Sequence, residues 1–333
     1  MSLKNTQVIF ANRPHGEVQE CNFRIVQTEL PALQDGEVLV QNIWLSPDPY
    51  VRVRMSQARS YAKPIELGDV MIGATIGMVI ASKNPRFGEG DTVLGYFGWQ
   101  QYGISQGKDL RKIANQQVPP SAYLGVLGVS GITAWIGLNE IGQPKQGETV
   151  VVSAAAGAVG SVAGQLAKIR GCRTIGIAGG KTKCNYTVNE LGFDACVDYK
   201  AGHLVEDLAT ITPAGIDVYF ENVGGEIFEA ILNHLNTFAR IPLSGLISQY
   251  NATKPYKVRN IAALLVNRVN LQGFIVSDHM DLWPKAQREL EDLLAKGQLK
   301  YRESIVEGLE NAPRAFIGLF KGENIGKQLV KLA

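Results

Sequence analysis

Hydrophobic positions divide the chain into two regimes. Up to about residue 120 they fall in short β-prone runs, at residues 6–10, 23–29, 37–45, 70–82 and 92–97. Turn signals separate the runs: Arg13-Pro14, Gln34-Asp35-Gly36, Asn84-Pro85 and Gly88-Glu89-Gly90-Asp91. Closely spaced strands with glycine-rich turns predict a compact, barrel-like β domain. The pattern changes near Val118-Pro119-Pro120. Residues 121–128 and 130–139 read as helices. Strands at 149–154, 174–178, 195–198, 217–221, 238–242 and 271–276 then alternate with helices at 158–170, 183–191, 204–209, 226–235 and 260–267. That alternation predicts an α/β, doubly wound parallel sheet. A helix over 283–296 precedes a mixed tail with elements at 301–306, 312–320 and 327–331. The expected division is 1–122, 123–298 and 299–333, with the tail returning to the first domain.

The centre of the second regime is the stretch from Val150 to Arg170. Val150, Val151 and Val152 read as a buried strand. Ala155-x-Gly157-x-x-Gly160 follows, and Val159, Val162, Ala163, Leu166 and Ile169 then mark one helical face. Strand, glycine turn and helix in succession make the first half of a dinucleotide-binding unit, in which backbone N–H groups and a helix N-terminus approach a pyrophosphate. Gly160 would let the helix pack closely on the strand, and Gly164 would extend that approach. Ala155 departs from the usual first glycine, and the bare motif also fits an ordinary strand-to-helix turn.

The residue ending the second strand of such a unit chooses the cofactor. A carboxylate there binds the ribose 2′-hydroxyl of NAD. Here the strand ends in Gly179-Gly180-Lys181-Thr182-Lys183, with lysines and no acid. A lysine attracts a 2′-phosphate, so the expected cofactor is NADP(H), held by Lys183; the other reading is that Lys181 and Lys183 are merely solvated.

The 333 residues exceed what one hydrophobic core usually organises, which suits two domains. Hydrophobic content of 45% and charged content of 19% fit a soluble globular chain, and no window of about 20 residues is apolar enough to span a bilayer. A dispersed net charge of +2 gives no footprint for nucleic acid. Cys21, Cys172, Cys184 and Cys196 include no C-x-x-C pair, and the first residues carry no long apolar run. Free thiols without a signal peptide point to the cytoplasm. Zinc alcohol dehydrogenases share this two-domain outline, but Leu45-Ser46-Pro47-Asp48 and Gly73-Ala74-Thr75 stand where they carry a cysteine and Gly-His-Glu. Leu45 and Ala74 cannot bind metal, the cluster of four structural cysteines is missing, and His15, His203, His234 and His279 are scattered. No metal is therefore expected, and hydride should go to an acceptor already activated by conjugation.

Several separate motifs resemble one family. They are Asp48-Pro49-Tyr50, Ala154-Ala155-Ala156-Gly157-Ala158-Val159-Gly160-Ser161, Leu191-Gly192-Phe193-Asp194 and Tyr199-Lys200. Glu221-Asn222-Val223-Gly224-Gly225, Ile247-Ser248-Gln249-Tyr250-Asn251, Gly273-Phe274 and Gly322-Glu323-Asn324-Ile325-Gly326-Lys327 follow. Over nearly its whole length the chain is similar to the zinc-free medium-chain reductases that include prostaglandin reductase, plant double-bond reductases and bacterial NADPH-dependent curcumin reductase. Alanine for the first glycine is usual there. The resemblance implies a GroES-like β-barrel domain plus a Rossmann domain, a homodimer, and a cofactor in the cleft. It implies NADPH-dependent reduction of the carbon–carbon double bond of α,β-unsaturated ketones and aldehydes. It also implies cofactor contacts at Gly157, Ala158, Val159 and Gly160 on the pyrophosphate, and at Lys183 and Tyr199 on the 2′-phosphate. Asn222, Ser244, Tyr250, the strand end at Phe274, Ile275 and Val276, and Asn324 would line the rest.

Hydride addition to the β-carbon of an enone builds charge on the carbonyl oxygen, which a hydrogen-bond donor stabilises. Tyr250 is the first candidate, because its polar loop follows the carboxyl end of a strand. It could instead only pack against the nicotinamide, with a cofactor hydroxyl polarising the carbonyl. Tyr50 is the second candidate, carried on a loop after Pro49 as a wall of the substrate pocket or packed on Tyr61 or the barrel. The alternatives to an enone reductase are an NADPH quinone oxidoreductase and a non-catalytic NADPH-binding protein.

Overall fold

The computed structural model describes residues 3–113 and 118–333. Two compact units emerge: Met1–Leu124 with Glu303–Asn324 and Gln328–Ala333, and Gly125–Arg302 with Ile325–Lys327.

The first unit begins with an antiparallel pair, β1 (Lys4–Phe10) and β2 (Phe23–Glu29). Next come β3 (Val38–Ser46), α1 (Tyr50–Arg54), β4 (Ala74–Ser82), β5 (Thr92–Gly95), β6 (Tyr102–Ser105) and β7 (Arg111–Lys112). β3 organises this sheet. One edge pairs with β4 from Val38 to Ser46, with two register shifts, and the other edge pairs with β6 over residues 38–41. Such irregularities bend a strand and increase its twist. β6 and β7 lie outside the elements expected from sequence, because runs of four and two residues are too short to show an alternation.

In the second unit the alternation is found. α2 (Val129–Ile136) continues into a wider π turn at Gly137–Gly142. Then come β8 (Thr149–Ser153), α3 (Gly160–Ile169), β9 (Arg173–Ala178), α4 (Lys181–Asn185), β10 (Ala195–Asp198), α5 (Leu204–Ile211), β11 (Ile216–Phe220) and α6 (Gly225–Leu232). β12 (Leu235–Leu243), α7 (Ala262–Val266), β13 (Asn270–Gly273) and α8 (Trp283–Ala295) complete it. The six strands run parallel in the order β10-β9-β8-β11-β12-β13. Chain direction across the sheet reverses between β8 and β11, the switch point at which doubly wound sheets bind ligands. Val151, Ile175, Ile177, Tyr219, Ile231 and Ile241 are among the side chains buried in this unit's core.

The tail supplies β14 (Glu303–Glu307), α9 (Ala312–Lys321) and β15 (Lys327–Lys331). β15 pairs antiparallel with β3 at Leu45 and Trp44, giving the order β14-β15-β3-β4-β5-β7. Phe316 of α9 enters the first unit's core, its ring centroid 5.6 Å from Trp99 and 6.2 Å from Phe23. Several expected boundaries moved. The helix expected at 121–128 is a 3-10 turn, Pro120–Leu124, the helix expected at 183–191 is α4 followed by a π turn at Tyr186–Glu190, and the strand expected to run to Val276 stops at Gly273.

Gly164 does not serve the strand contact expected of it. A Cβ there would stand 1.8 Å from the ring of Phe193, which is buried against α3 just before β10. Gly164→Ala should therefore overpack a ring that cannot retreat, destabilising the unit by about 1–3 kcal/mol. Urea unfolding should show a lowered midpoint, which Phe193→Leu in the same chain should partly restore.

Candidate active site

Ser153 ends a fully buried β8, and the chain then turns sharply at Ala154, whose φ is +48°. The N–H of Gly157 closes the turn on the Ala154 carbonyl at 2.8 Å. A Cβ at Gly160 would stand 2.4 Å from that same oxygen, so α3 can begin this close to the turn only with glycine. The opposite holds at Ala155. Its methyl is buried over Gly176 of β9, where an added Cβ would come within 2.8 Å of it. The room usually left by the motif's first glycine is thus supplied from the neighbouring strand. Ala158 and Val159 are half-buried in the turn before α3. From the tail, the N–H of Gly326 donates to the Ala156 carbonyl at 2.7 Å, so a second segment braces the turn.

Beyond β9, Gly179 and Gly180 lead into α4, with Lys183 half-buried in its first turn. Tyr199 and Lys200 follow β10 and lie against Gly179, where a Cβ would be 2.9 Å from the tyrosine hydroxyl and 3.0 Å from the lysine Cε. The nearby carboxylate, Asp198, is engaged by backbone, accepting from the N–H groups of Gly180 at 2.7 Å and Lys200 at 3.0 Å. Burial, and then the like charge of Lys200, holds the Lys183 ammonium below the usual lysine range. Two cations held close enough to repel fit an anion such as a 2′-phosphate. Lys200 stood in the Tyr199-Lys200 motif but was given no site role from sequence; its signal was its place directly after Tyr199 at a strand end.

At the switch point, Asn222 follows β11 and donates from Nδ2 to the Ser153 carbonyl at 2.8 Å. Its Oδ1 accepts from Ser244 Oγ at 2.6 Å, beside the end of β12. Tyr250 caps the 3-10 turn Ile247–Gln249, and its hydroxyl accepts the Leu246 N–H at 3.3 Å. Burial raises the Tyr250 phenol, so it stays protonated at neutral pH. An accepted bond leaves the O–H itself able to donate. Phe274, Ile275 and Val276 lie beyond the end of β13. Phe274 is buried and Val276 opens a 3-10 turn, so they do not form the strand end expected of them. Glu221, fully buried beside Asn222, was also not singled out as a site residue.

In the first unit, Tyr50 opens α1 rather than riding a loop, and its ring packs against the core around Leu45, Val51 and Met55. Burial and then Asp48 raise its phenol. Arg52 is buried and donates to the Gly16 carbonyl at 2.9 Å. Asn324 is half-buried in the same unit, two residues before the Gly326 brace. Leu45 is buried in the core and Ala74 begins β4. Among the described residues, no group of three or more His, Cys, Asp or Glu is placed to hold a metal ion.

Residues 6–113 match the family described as the N-terminal domain of oxidoreductase, and residues 158–295 the family described as zinc-binding dehydrogenase. The NADPH-dependent curcumin reductase of Escherichia coli (strain K12) is 47% identical over 336 residues, covering 99% of this chain and 97% of that protein. The NADP(+)-dependent 2-alkenal reductase of Nicotiana tabacum is 40% identical over 338 residues, covering 99% and 98%. The crystal structure of CurA in complex with NADPH from Vibrio vulnificus superimposes with a TM-score of 0.95 at 48% identity, covering 98% of this chain and 99% of that one. The chain therefore belongs to the zinc-free medium-chain dehydrogenase/reductases, in the branch that holds the curcumin, 2-alkenal and prostaglandin reductases.

Proposed function

We infer that the protein is an NADPH-dependent reductase of the carbon–carbon double bond of α,β-unsaturated ketones and aldehydes. The observation that carries this reading is full-length likeness to relatives named as NADPH-dependent curcumin reductase and 2-alkenal reductase. The site's own chemistry agrees with it. Gly157, Ala158, Val159 and Gly160 would receive the pyrophosphate at the start of α3. Lys183, Lys200 and Tyr199 would hold the 2′-phosphate. Asn222, Ser244, Phe274, Ile275, Val276 and Asn324 would line the remainder. Bound there, NADPH supplies the hydride. Tyr250 donates its phenolic hydrogen bond to the oxygen on which enolate charge develops, and Tyr50 forms part of the substrate pocket.

We place the protein in the cytoplasm, in keeping with four cysteines in the thiol state and no helix, among the described residues, long and apolar enough to cross a membrane. We also propose a homodimer formed along β13. All four residues of this edge strand are exposed, and Leu265, Val266 and Phe238 beside it are 80%, 65% and 64% exposed. An open strand edge flanked by apolar side chains suits pairing with a second copy.

Turnover of 3-nonen-2-one with NADPH, followed at 340 nm, tests the activity. Faster turnover of a para-quinone would favour a quinone oxidoreductase instead, and tight NADPH binding without turnover across several enones a binding protein. Lys183→Ala should raise the NADPH KM about 10- to 100-fold, as expected for losing a charge-assisted bond, and leave the NADH KM nearly unchanged. Because the folded protein lowers the Lys183 pKa, its charge is lost as pH rises, so the NADPH KM should climb on the alkaline side while that for NADH does not. Tyr250→Phe should cut kcat at least about tenfold; a loss under about threefold, less than about 1 kcal/mol of barrier, would remove the donor role. Leu265→Glu with Leu271→Lys should shift the light-scattering mass to that of a monomer.

A further inference from the structure

We propose that Glu221 is the positioning residue for Tyr250, holding it through the loop between β11 and β12. This rests on the reading of Tyr250 as donor to the enolate oxygen.

Glu221 is a fully buried carboxyl at the end of an apolar strand, directly at the switch point. Such a group is costly to bury unless it is well bonded. Its Oε1 accepts from the N–H of Val223 at 2.5 Å, the N–H of Gly224 at 3.0 Å and Ser153 Oγ at 3.0 Å. Its own N–H donates to the Pro242 carbonyl, and its carbonyl accepts from the N–H groups of Ser244 and Gly245. One residue therefore ties the end of β8, the loop after β11 and the segment after β12.

The loop passes that order to the tyrosine. Gly224 and Gly225 take φ of +75° and +61°, which turns their backbone around the carboxyl. The outward carbonyls of Asn222 and Val223 then accept the N–H groups of Ile247 at 3.1 Å and Ser248 at 3.0 Å. Ser248 Oγ adds a bond to the Val223 carbonyl at 2.6 Å. These bonds seat the 3-10 turn Ile247–Gln249, which Tyr250 caps. Ser153 Oγ reinforces the loop by accepting the Asn222 N–H at 2.8 Å. Glu221 itself makes no bond to the tyrosine among the described contacts, so its effect on the reaction passes through the loop. Oε1, which accepts from Val223 and Gly224, is the carboxyl oxygen that faces the loop.

The test compares Glu221→Gln and Glu221→Asp, each alone and with Tyr250→Phe. Gln keeps the Oε1 acceptor at the same reach; Asp withdraws it by one methylene. Glu221→Gln should hold kcat within about threefold of the unaltered enzyme, and Glu221→Asp should lower kcat about tenfold or more. NADPH affinity by fluorescence titration should change by less than about threefold, because the phosphates are held elsewhere. In the Tyr250→Phe background the Asp substitution should cost less than about threefold more, as two residues acting through one group are not additive. An equal loss in both backgrounds, or an unchanged kcat for a folded Glu221→Asp enzyme, overturns the proposal and leaves the donor reading standing. A Tyr250→Phe enzyme with full kcat overturns the donor reading itself, and this proposal with it. Should Glu221→Asp not fold, Ser153→Ala reads the same coupling by removing the Asn222 brace while keeping the carboxyl.

Discussion

Where parallel strands end side by side, their last N–H and carbonyl groups have no further ladder to join. At the junction of β8, β11 and β12 this constraint is met by one buried carboxyl and one buried serine. Glu221 accepts from Val223, Gly224 and Ser153, and Ser153 in turn accepts from Asn222. Unbonded backbone at such a position would cost about 1–3 kcal/mol per group. The outcome is a rigid loop at the sheet's ligand-binding end, with Asn222, Ser244 and Tyr250 all referred to the same few atoms. Preorganised donors of this kind are the usual basis of electrostatic catalysis.

The opposite arrangement governs the end of β9. There the structure concentrates like charge, Lys183 beside Lys200, and turns the Asp198 carboxylate onto backbone N–H groups. A bound phosphate would relieve the repulsion between the lysines, and a bare ribose would leave it in place. On the proposed cofactor site, discrimination between the two nicotinamide cofactors would come from a field as well as from a contact. Between these two regions, the glycine turn contributes geometry alone. Its tolerance of Ala155 depends on Gly176 of a different strand.

Much of this was legible in the chain. The 2-fold and 3.6-fold hydrophobic periods reflect which faces are buried, so the alternation of β8 to β13 with their helices was readable element by element, though not to the residue. So were the glycine turn and the lysine after β9, because each is a local pattern with a local cause. Less was readable in the first unit. β6 and β7 are too short to display a period, and β3 is defined by partners on two edges that are distant in sequence. Tyr50 was expected on a loop because Pro49 precedes it, yet proline also suits the start of a helix, and core packing chose the helix α1. Arg52 is buried although charged residues are usually exposed; the Gly16 carbonyl that accepts from it lies 36 positions away.

By itself, then, the amino-acid order determined the strand and helix alternation, the glycine turn, the placing of Lys183 after β9 and the lack of zinc ligands at Leu45 and Ala74. Each of these depends on residues within a turn or two of one another, or on a side chain's chemistry alone. Tertiary structure decided the rest: Lys200 as partner to Lys183, Gly326 as brace of the glycine turn, Gly176 as the space for Ala155, and Glu221 as the hub under Asn222 and Tyr250. Those relations arise only when separate strands end at the same level, and that alignment is set by sheet register, which no local pattern encodes.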